Sequence, residues 1–454
     1  MPPTTAYTVA RAPGALPLAG HVGPLLRDPF AFLADLPRHG DLVEIRLGRT
    51  PAYVPCHPQL LWDVLTHDRL FDKGGPFYER VRGMAGNGLA SCPHAHHRRQ
   101  RRLMQSAFHP AQLRAYATVM AEEIDGLIRP WGPEQVIDVY PTLYRMALRT
   151  ATRTLFAQPA AAALADEVRH SFEIAFSGVF RQMFMPPALI RLPLPGNVRH
   201  RRAVARLRHT VDRIVAGYRS DPNAPENPAD LLGVALAARD DEGLAMTDTE
   251  VRDQVVNFLA GGTETVAATL TWALQLLAAH PEQQRTLQAE ADAALGGRAA
   301  HGDDLPRLEY ANRVVQETVR LHPPAWMFTR GTAFATELAG LRLPPGSTVV
   351  ITPVPTHRSA ALYDRPDAFD PDRWTPDRAA RLPRGAYVGF GAGARKCIGD
   401  AFGTTECVLA LATVLSRWDV TPVPGADLRP YPLAAFHRPR RLSLRLTRRG
   451  PAGA

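Results

Sequence analysis

Between Thr247 and His280 the chain carries one helical pattern that would run roughly 45–50 Å at about 1.5 Å per residue. From Val255 to Ala279 it is apolar on nearly all sides, so no face of it can be left to water. No stretch of the chain approaches the roughly 18 uninterrupted apolar residues of a membrane span, so the burial must be inside protein. The pattern therefore predicts a mainly helical fold stacked around one central helix. Inside that helix sits Ala260-Gly261-Gly262-Thr263-Glu264-Thr265. Paired glycines and threonines are poor helix formers. Natural sequences break local rules mostly at functional sites, which makes this stretch a candidate.

The remainder is largely helical in pattern, with prolines and glycines as punctuation. Leu42 to Leu47 alternates apolar and polar and is followed by Ala52-Tyr53-Val54, which predicts a β-hairpin. A second hairpin is expected over 337–352, with Gly340 to Leu343 and Thr348 to Ile351 flanking the turn Pro344-Pro345-Gly346. Ser220 to Pro228 is the most loop-like segment, but it joins two helical stretches. With no repeat and no low-complexity linker, the expectation is a single domain over 1–454. Its β-rich part is 1–75 and its helical part 76–454.

The chain of 454 residues has 53 basic and 44 acidic side chains, a net charge of +9. Lys73 and Lys396 are its only lysines, so the excess is arginine, most simply a habit of composition. A basic surface also steers acidic partners. No helix-turn-helix, zinc finger or aromatic-basic motif accompanies the arginines, and no nucleic-acid partner is expected. The N-terminus lacks the basic and apolar regions of a secretory signal, so a cytoplasmic location is expected. Cys56, Cys92, Cys397 and Cys407 form no Cys-x-x-Cys pair and no disulfide framework.

Cys397 stands apart because of its neighbours, Phe390-Gly391-Ala392-Gly393-Ala394-Arg395-Lys396-Cys397-Ile398-Gly399. The glycines allow backbone shapes closed to other residues and let a flat ligand approach. A helical pattern starts at Gly399, so the cysteine is expected at a helix N-terminus, where the thiolate is favoured. Such a thiolate suits a soft metal, and iron held this way is electron-rich enough to favour O–O cleavage. An inert buried cysteine would leave Phe390, Gly393, Arg395 and Gly399 unexplained. A nucleophilic-cysteine hydrolase would need a His and Asn/Asp arrangement of a known kind, and none is visible.

At every fixed position the loop resembles the haem-binding signature of the cytochrome P450 family, Phe-x-x-Gly-x-Arg-x-Cys-x-Gly. Glu317-Thr318-Val319-Arg320 resembles its Glu-x-x-Arg motif, and Phe369 to Trp374 its Phe-x-Pro-x-Arg-Trp segment. Gly261 to Thr265 is similar to its oxygen-activating motif. The resemblance runs from Arg11 to about Leu446. It implies a triangular helical prism around a buried haem b, with Cys397 as the axial thiolate and no reductase domain in the chain. It implies a haem-thiolate monooxygenase that takes O2, with electrons from a ferredoxin and its reductase, and a monomer. His97, Arg101, Arg330 and Arg395 are then expected on the haem propionates. Phe390, Gly391, Gly399, Ala260 and Gly261 are expected against the haem. Glu317, Arg320 and Arg373 would hold the cysteine loop. Glu264 and Thr265 become the catalytic pair, the carboxyl relaying protons and the hydroxyl bonding the Gly261 carbonyl. Arg98, Arg99 and Arg102 are expected on a solvated face or against the ferredoxin.

The family's pocket-lining regions fall on Phe172, Phe176, Phe180 and Phe184, with Met183 and Met185 alongside, and on Trp326, Met327 and Phe328. Taken alone, the phenylalanine stripe is equally an ordinary core face. Within the family the chain looks most like actinobacterial enzymes that oxidise sesquiterpenes, on Ala12-Pro13-Gly14, His97 to Phe108, and Arg191 to Pro195. Fatty acid, macrolide and polyketide substrates stay open. Arg181, Arg199, Arg201 or Arg202 could meet a fatty carboxylate. A catalytically idle haem-binding protein is the remaining alternative, and it predicts a damaged motif.

Overall fold

The structure is a computed structural model that describes residues 6–156, 164–183, 185, 187–220, 230–431, 434 and 436–450. Its helices of most consequence are α1 Pro58–Thr66, α2 Gly75–Ala85, α3 His94–Gln105, α4 Pro110–Ile128, α5 Val139–Leu155, α6 Ala165–Met183, α7 Pro195–Ser220, α8 Asp248–Ala279, α9 Pro281–Leu295, α10 Glu309–Leu321 and α11 Asp400–Arg417. No described helix is long and apolar enough to cross a membrane. Ser220 ends α7, and the rest of the expected loop to Pro228 lies outside the described residues.

Helix α8 is the central element the sequence predicts. A capping box starts it: the Thr247 hydroxyl accepts from the Glu250 N–H while the Glu250 carboxylate accepts from Thr247 N–H. It stops at His280, and Pro281 opens α9. Its C-terminal half, with Val266, Leu270, Ala273, Leu274 and Leu277, is buried against α4, α5, α10 and α11. Its N-terminal half, with Val251, Val255, Val256 and Leu259, joins a second core with Phe172, Val179, Leu207 and Val211 of α6 and α7.

Strands β1 Val9–Arg11, β2 Leu42–Leu47, β3 Thr50–Pro55, β4 Phe71–Lys73, β6 Phe328–Thr332 and β9 Thr348–Ile351 form a six-stranded sheet in the order β1-β2-β3-β9-β6-β4. The first hairpin is present, β2 pairing antiparallel with β3. The second is a correction. β9 does not turn back on Leu341–Leu343 (β8), which pairs instead with Thr336–Leu338 (β7). All four residues of β9 are buried, and the strand lies between β3 and β6. A strand buried on both faces needs partners on both edges, which a two-stranded hairpin cannot give. A three-stranded sheet of β5 Val136–Asp138, β10 Trp418–Pro422 and β13 Ser443–Arg448, and the pair β11 Asp427–Pro430 and β12 Pro439–Arg441, complete the strands.

Candidate active site at the cysteine loop

One cavity of about 410 Å³ lies between α8 and the cysteine loop. The loop closes on itself through hydrogen bonds from Cys397 N–H to the Phe390 carbonyl (2.9 Å) and from Lys396 N–H to the Gly393 carbonyl (3.1 Å). Gly391 (φ 73°) and Gly393 (φ 66°) take left-handed backbone. At Gly393 a Cβ would also come within 2.9 Å of Thr66 Cα, so α1 presses on the loop where only glycine fits. Helix α11 follows directly, starting at Asp400. The Cys397 surface opens onto the cavity although the residue lies deep in the protein. Burial pushes its thiol up, while the Gly399 N–H opposes that shift.

The loop is held from behind by the Glu317, Arg320 and Arg373 set. Glu317 and Arg320 are fully buried, paired through Nε (2.8 Å) and Nη2 (2.7 Å). Arg373 Nε lies 3.4 Å from Glu317, and Trp374 Nε1–H donates to it at 2.9 Å. A residue outside any motif carries the connection forward. His357 donates from Nδ1 to the Arg320 carbonyl (3.1 Å) and accepts from Val388 N–H at Nε2 (3.0 Å), two residues before Phe390. Burial and Arg320 push its pKa down to about 3, so the ring stays neutral and keeps this tautomer.

On the opposite wall, Ala260, Gly261, Gly262, Thr265 and Val266 of α8 line the cavity. The Thr265 hydroxyl donates to the Gly261 carbonyl at 2.5 Å, as the spacing predicts. A Cβ at Gly261 would meet nothing within 4 Å, whereas one at Gly262 would touch Ala151 of α5. Glu264 departs from expectation. It does not line the cavity, and its carboxylate accepts a hydrogen bond from the Tyr140 hydroxyl at the start of α5. The angle of about 100° between successive helical residues puts Glu264 on a different face from Thr265.

Cations gather at one end. His97, Arg101, Arg330 and Arg395 line the cavity together with Lys73, which no motif singles out. Arg101 donates to the Lys396 carbonyl (2.7 Å), tying α3 to the loop. Arg395 is engaged on all sides, by Asp68 (3.0 Å), Asp72 (3.0 Å) and the Cys92 carbonyl (2.9 Å). Its fork is therefore less open than its place in the signature suggests. Arg330 is 2% exposed and its Nε has no hydrogen-bond partner. Lys73 donates to the Ala90 carbonyl (2.6 Å), and burial beside Arg395 and Arg330 pulls its pKa down. Burial and the same cations lower His97 to about 3. Arg99 and Arg102 depart from a free basic face: Arg99 pairs with Asp240 and Glu250, and Arg102 with Asp241. Arg98 is exposed.

Apolar side chains make the rest of the wall. Phe176, Met327 and Phe328 line it, as expected, while Trp326 sits outside it near Phe30, 5.9 Å between centroids. Phe172 is buried in the core behind. Phe184 and the side chains of Phe180 and Met183 lie outside the described residues. Phe436, Phe77, Met84 and Phe258 join the wall without any signal in the sequence. Phe436 stacks on Phe176 with centroids 5.4 Å apart and planes 10° apart.

Comparison with known proteins then decides the family. The cytochrome P450 family pattern matches residues 11–442. The chain belongs to the cytochrome P450 family. This P450 is 51% identical over 445 residues to pentalenene oxygenase of Streptomyces avermitilis, covering 98% of each chain. It is 47% identical to cyclooctatin synthase of Streptomyces melanosporofaciens, over 95% of this chain and 94% of that one. Among solved structures, retinoic acid-bound cyanobacterial CYP120A1 has a TM-score of 0.85 at 27% identity, covering 96% of this chain and 98% of that one. The P450DA heme domain reaches a TM-score of 0.87 at 24% identity and shows the fold, covering 98% and 99%. The protein is therefore a P450 monooxygenase, with a haem whose iron takes a thiolate ligand. The residues present fit that group. A cysteine sulfur faces an apolar cavity, and buried cations, one with an orphaned N–H, stand where a flat dianion would need them.

Proposed function

We propose that this P450 oxidises a terpene hydrocarbon of sesquiterpene size in secondary metabolism, as a cytoplasmic monomer fed electrons by a ferredoxin and its reductase. In this reading the prosthetic group is haem b, with Cys397 on the iron and Lys73, Arg101 and Arg330 available to its carboxylates. When bound, the haem supplies dioxygen activation and oxygen insertion. The chain's residues do the rest. The wall positions substrate by apolar contact, Thr265 holds a proton at its hydroxyl beside the cavity, and Glu264 relays protons from outside.

One observation carries the substrate class: the threonines and the asparagine that α5 and α8 contribute to the wall are already bonded to protein. Thr265 and Thr269 donate to carbonyls of their own helix, as does Thr154. The Asn257 amide donates to Ala85 and Asp253 carbonyls and accepts from Ala90 N–H. Such a wall recognises shape and area, at roughly 25 cal/mol per Å² buried. The names of the Streptomyces relatives support the same class. None of Arg181, Arg199, Arg201 and Arg202 lines the cavity, which argues against a fatty acid.

The test is an absorbance titration of the ferric protein with a sesquiterpene hydrocarbon, a fatty acid and a macrolide. A low- to high-spin Soret shift with the terpene alone supports the reading. A shift only with the fatty acid or macrolide removes the terpene and keeps the monooxygenase. A haem protein without a thiolate-type spectrum removes Cys397 as ligand.

A further inference from the structure

Between the end of α2 at Ala85 and the start of α3 at His94 the chain forms neither helix nor strand, yet Leu89 and Ala90 are part of the cavity wall. A segment of this kind ordinarily opens easily, because little of its backbone is bonded to anything fixed. Here it is held from four elements. Asn87 N–H donates to the Asp253 carboxylate (2.7 Å), Leu89 N–H to the Gln254 side-chain oxygen (3.0 Å) and Ala90 N–H to that of Asn257 (3.1 Å), all three acceptors on α8. In return, Gln100 of α3 donates to the Asn87 carbonyl (2.8 Å), Lys73 of β4 to that of Ala90 (2.6 Å) and Arg82 of α2 to that of Ser91 (3.0 Å).

Asn257 lies four residues after Asp253 and three after Gln254, so the three acceptors share one face of α8. All are buried. Gln254 also donates to the Gln100 side-chain oxygen (3.0 Å), which links segment, α3 and α8 in a closed ring. The segment comes so near to α8 that only glycine fits there. A Cβ on Gly86 (φ 62°) would stand 2.1 Å from the Asp253 carboxylate, and one on Gly88 would stand 2.5 Å from the Asp253 carbonyl. Asn257 lines the cavity, whereas Asp253 and Gln254 do not, so those two reach it only through the segment.

A wall without free polar anchors ranks ligands by shape, and whatever fixes the wall's position fixes the ranking. We propose that Asp253 and Gln254, with Asn257, are specificity-determining positioning residues: they clasp segment 86–91 to α8 and so set the largest ligand the cavity admits. Removing one acceptor leaves a buried N–H without a partner, and the segment leaves α8 to find water. The cavity then widens beside Leu89 and Ala90, and large ligands gain over small ones. The inference rests on the reading of the cavity as a hydrocarbon site.

Asp253→Ala and Gln254→Met each remove one acceptor without touching the cavity, while Asp253→Asn keeps an acceptor oxygen. Soret titrations of the ferric protein compare two pairs of ligands. One pair is a sesquiterpene and a diterpene hydrocarbon. The other is imidazole and N-tritylimidazole, which bind through the iron whatever the natural substrate. We expect the large-to-small Kd ratio to fall about tenfold in both variants, the worth of roughly one hydrogen bond. Imidazole binding itself should not change, and Asp253→Asn should stay close to the parent. Hydrogen exchange of peptides spanning 86–91 should quicken on the order of tenfold, with α10 and α11 exchanging at the parent rate. Should both variants fail to fold, Gly88→Ala keeps every acceptor but forces the segment off α8, and must lower the ratio as well. An unmoved ratio, exchange that quickens throughout the protein, or Asp253→Asn as permissive as Asp253→Ala overturns the proposal. A parent with no spin shift for either terpene, while the azole ratio falls in the variants, removes the hydrocarbon reading and supports the clasp.

Discussion

Glu317→Gln isolates the charge that anchors the cysteine loop, because the two side chains have nearly the same volume. The Glu317 side chain is fully buried, and five donors converge on it: Arg320 Nε and Nη2, Arg373 Nε, Trp374 Nε1 and the Asp370 N–H. It is the only carboxylate paired with the buried Arg320 and Arg373 guanidiniums among the described residues. Glutamine keeps one acceptor oxygen and turns an NH2 toward the remaining donors. Backbone carbonyls of His357, Pro366, Ala368, Asp364 and Arg365 continue to accept from the arginines, so the cations keep dipoles but lose their anion. Breaking a buried pair this way costs about 3–5 kcal/mol. The assay is urea unfolding by circular dichroism, with Arg313→Gln as the reference. Arg313 pairs with Asp372, whose side chain is 62% exposed, and losing that pair should cost less than about 1 kcal/mol. Because the network reaches Val388 through His357, Glu317→Gln should also speed haem transfer to an apoprotein acceptor. Equal unfolding midpoints and slopes for the two variants would refute the buried-charge argument.

Three further outcomes follow from the same geometry. Glu406 is fully buried on α11, and burial raises its pKa to about 8 from 4.5. The unfolded chain ionises first, so this group's contribution is fully present below pH 4.5 and lost as pH rises through about 8. Glu406→Gln should therefore gain on the parent in thermal midpoint between about pH 5 and about pH 9, and a constant difference across that range would contradict the assignment. Thr265→Ala removes the hydroxyl at the cavity and should lower product formation by on the order of 10²-fold. Substrate-induced spin shift should stay intact, and steady-state turnover against the titration separates the two. Phe436→Ala strips the face that stacks on Phe176 and should raise the hydrocarbon Kd about tenfold, or about 1.4 kcal/mol, in the spin-shift titration.

Chemistry at the two poles of the site is legible in the chain because each rests on local constraints. Gly391 and Gly393 are needed for their φ angles, Cys397 for its place before a helix, and Thr265 for a hydroxyl four residues after Gly261. The central helix is legible for the same reason, since its cap, its stop and its apolar period are all contiguous. What joins distant segments is not. Nothing local to Lys73 or His357 marks either as part of the site, and only the folded chain brings Lys73 to the cavity and His357 between Arg320 and Val388. Strand β9 was readable as a strand, but its partners β3 and β6 are chosen by burial of both its faces, not by the turn before it.

Glu264 shows the division most directly. Sequence alone determines that a carboxyl stands beside Thr265 on the central helix, and chemistry makes it a proton donor. Which way that carboxyl faces depends on Tyr140, 124 positions earlier, and on Arg438 near the C-terminus. A covalent neighbour sets where a group is attached. Its direction and charge are set by the fields and hydrogen bonds of whatever packs around it, and those exist only once the chain has folded.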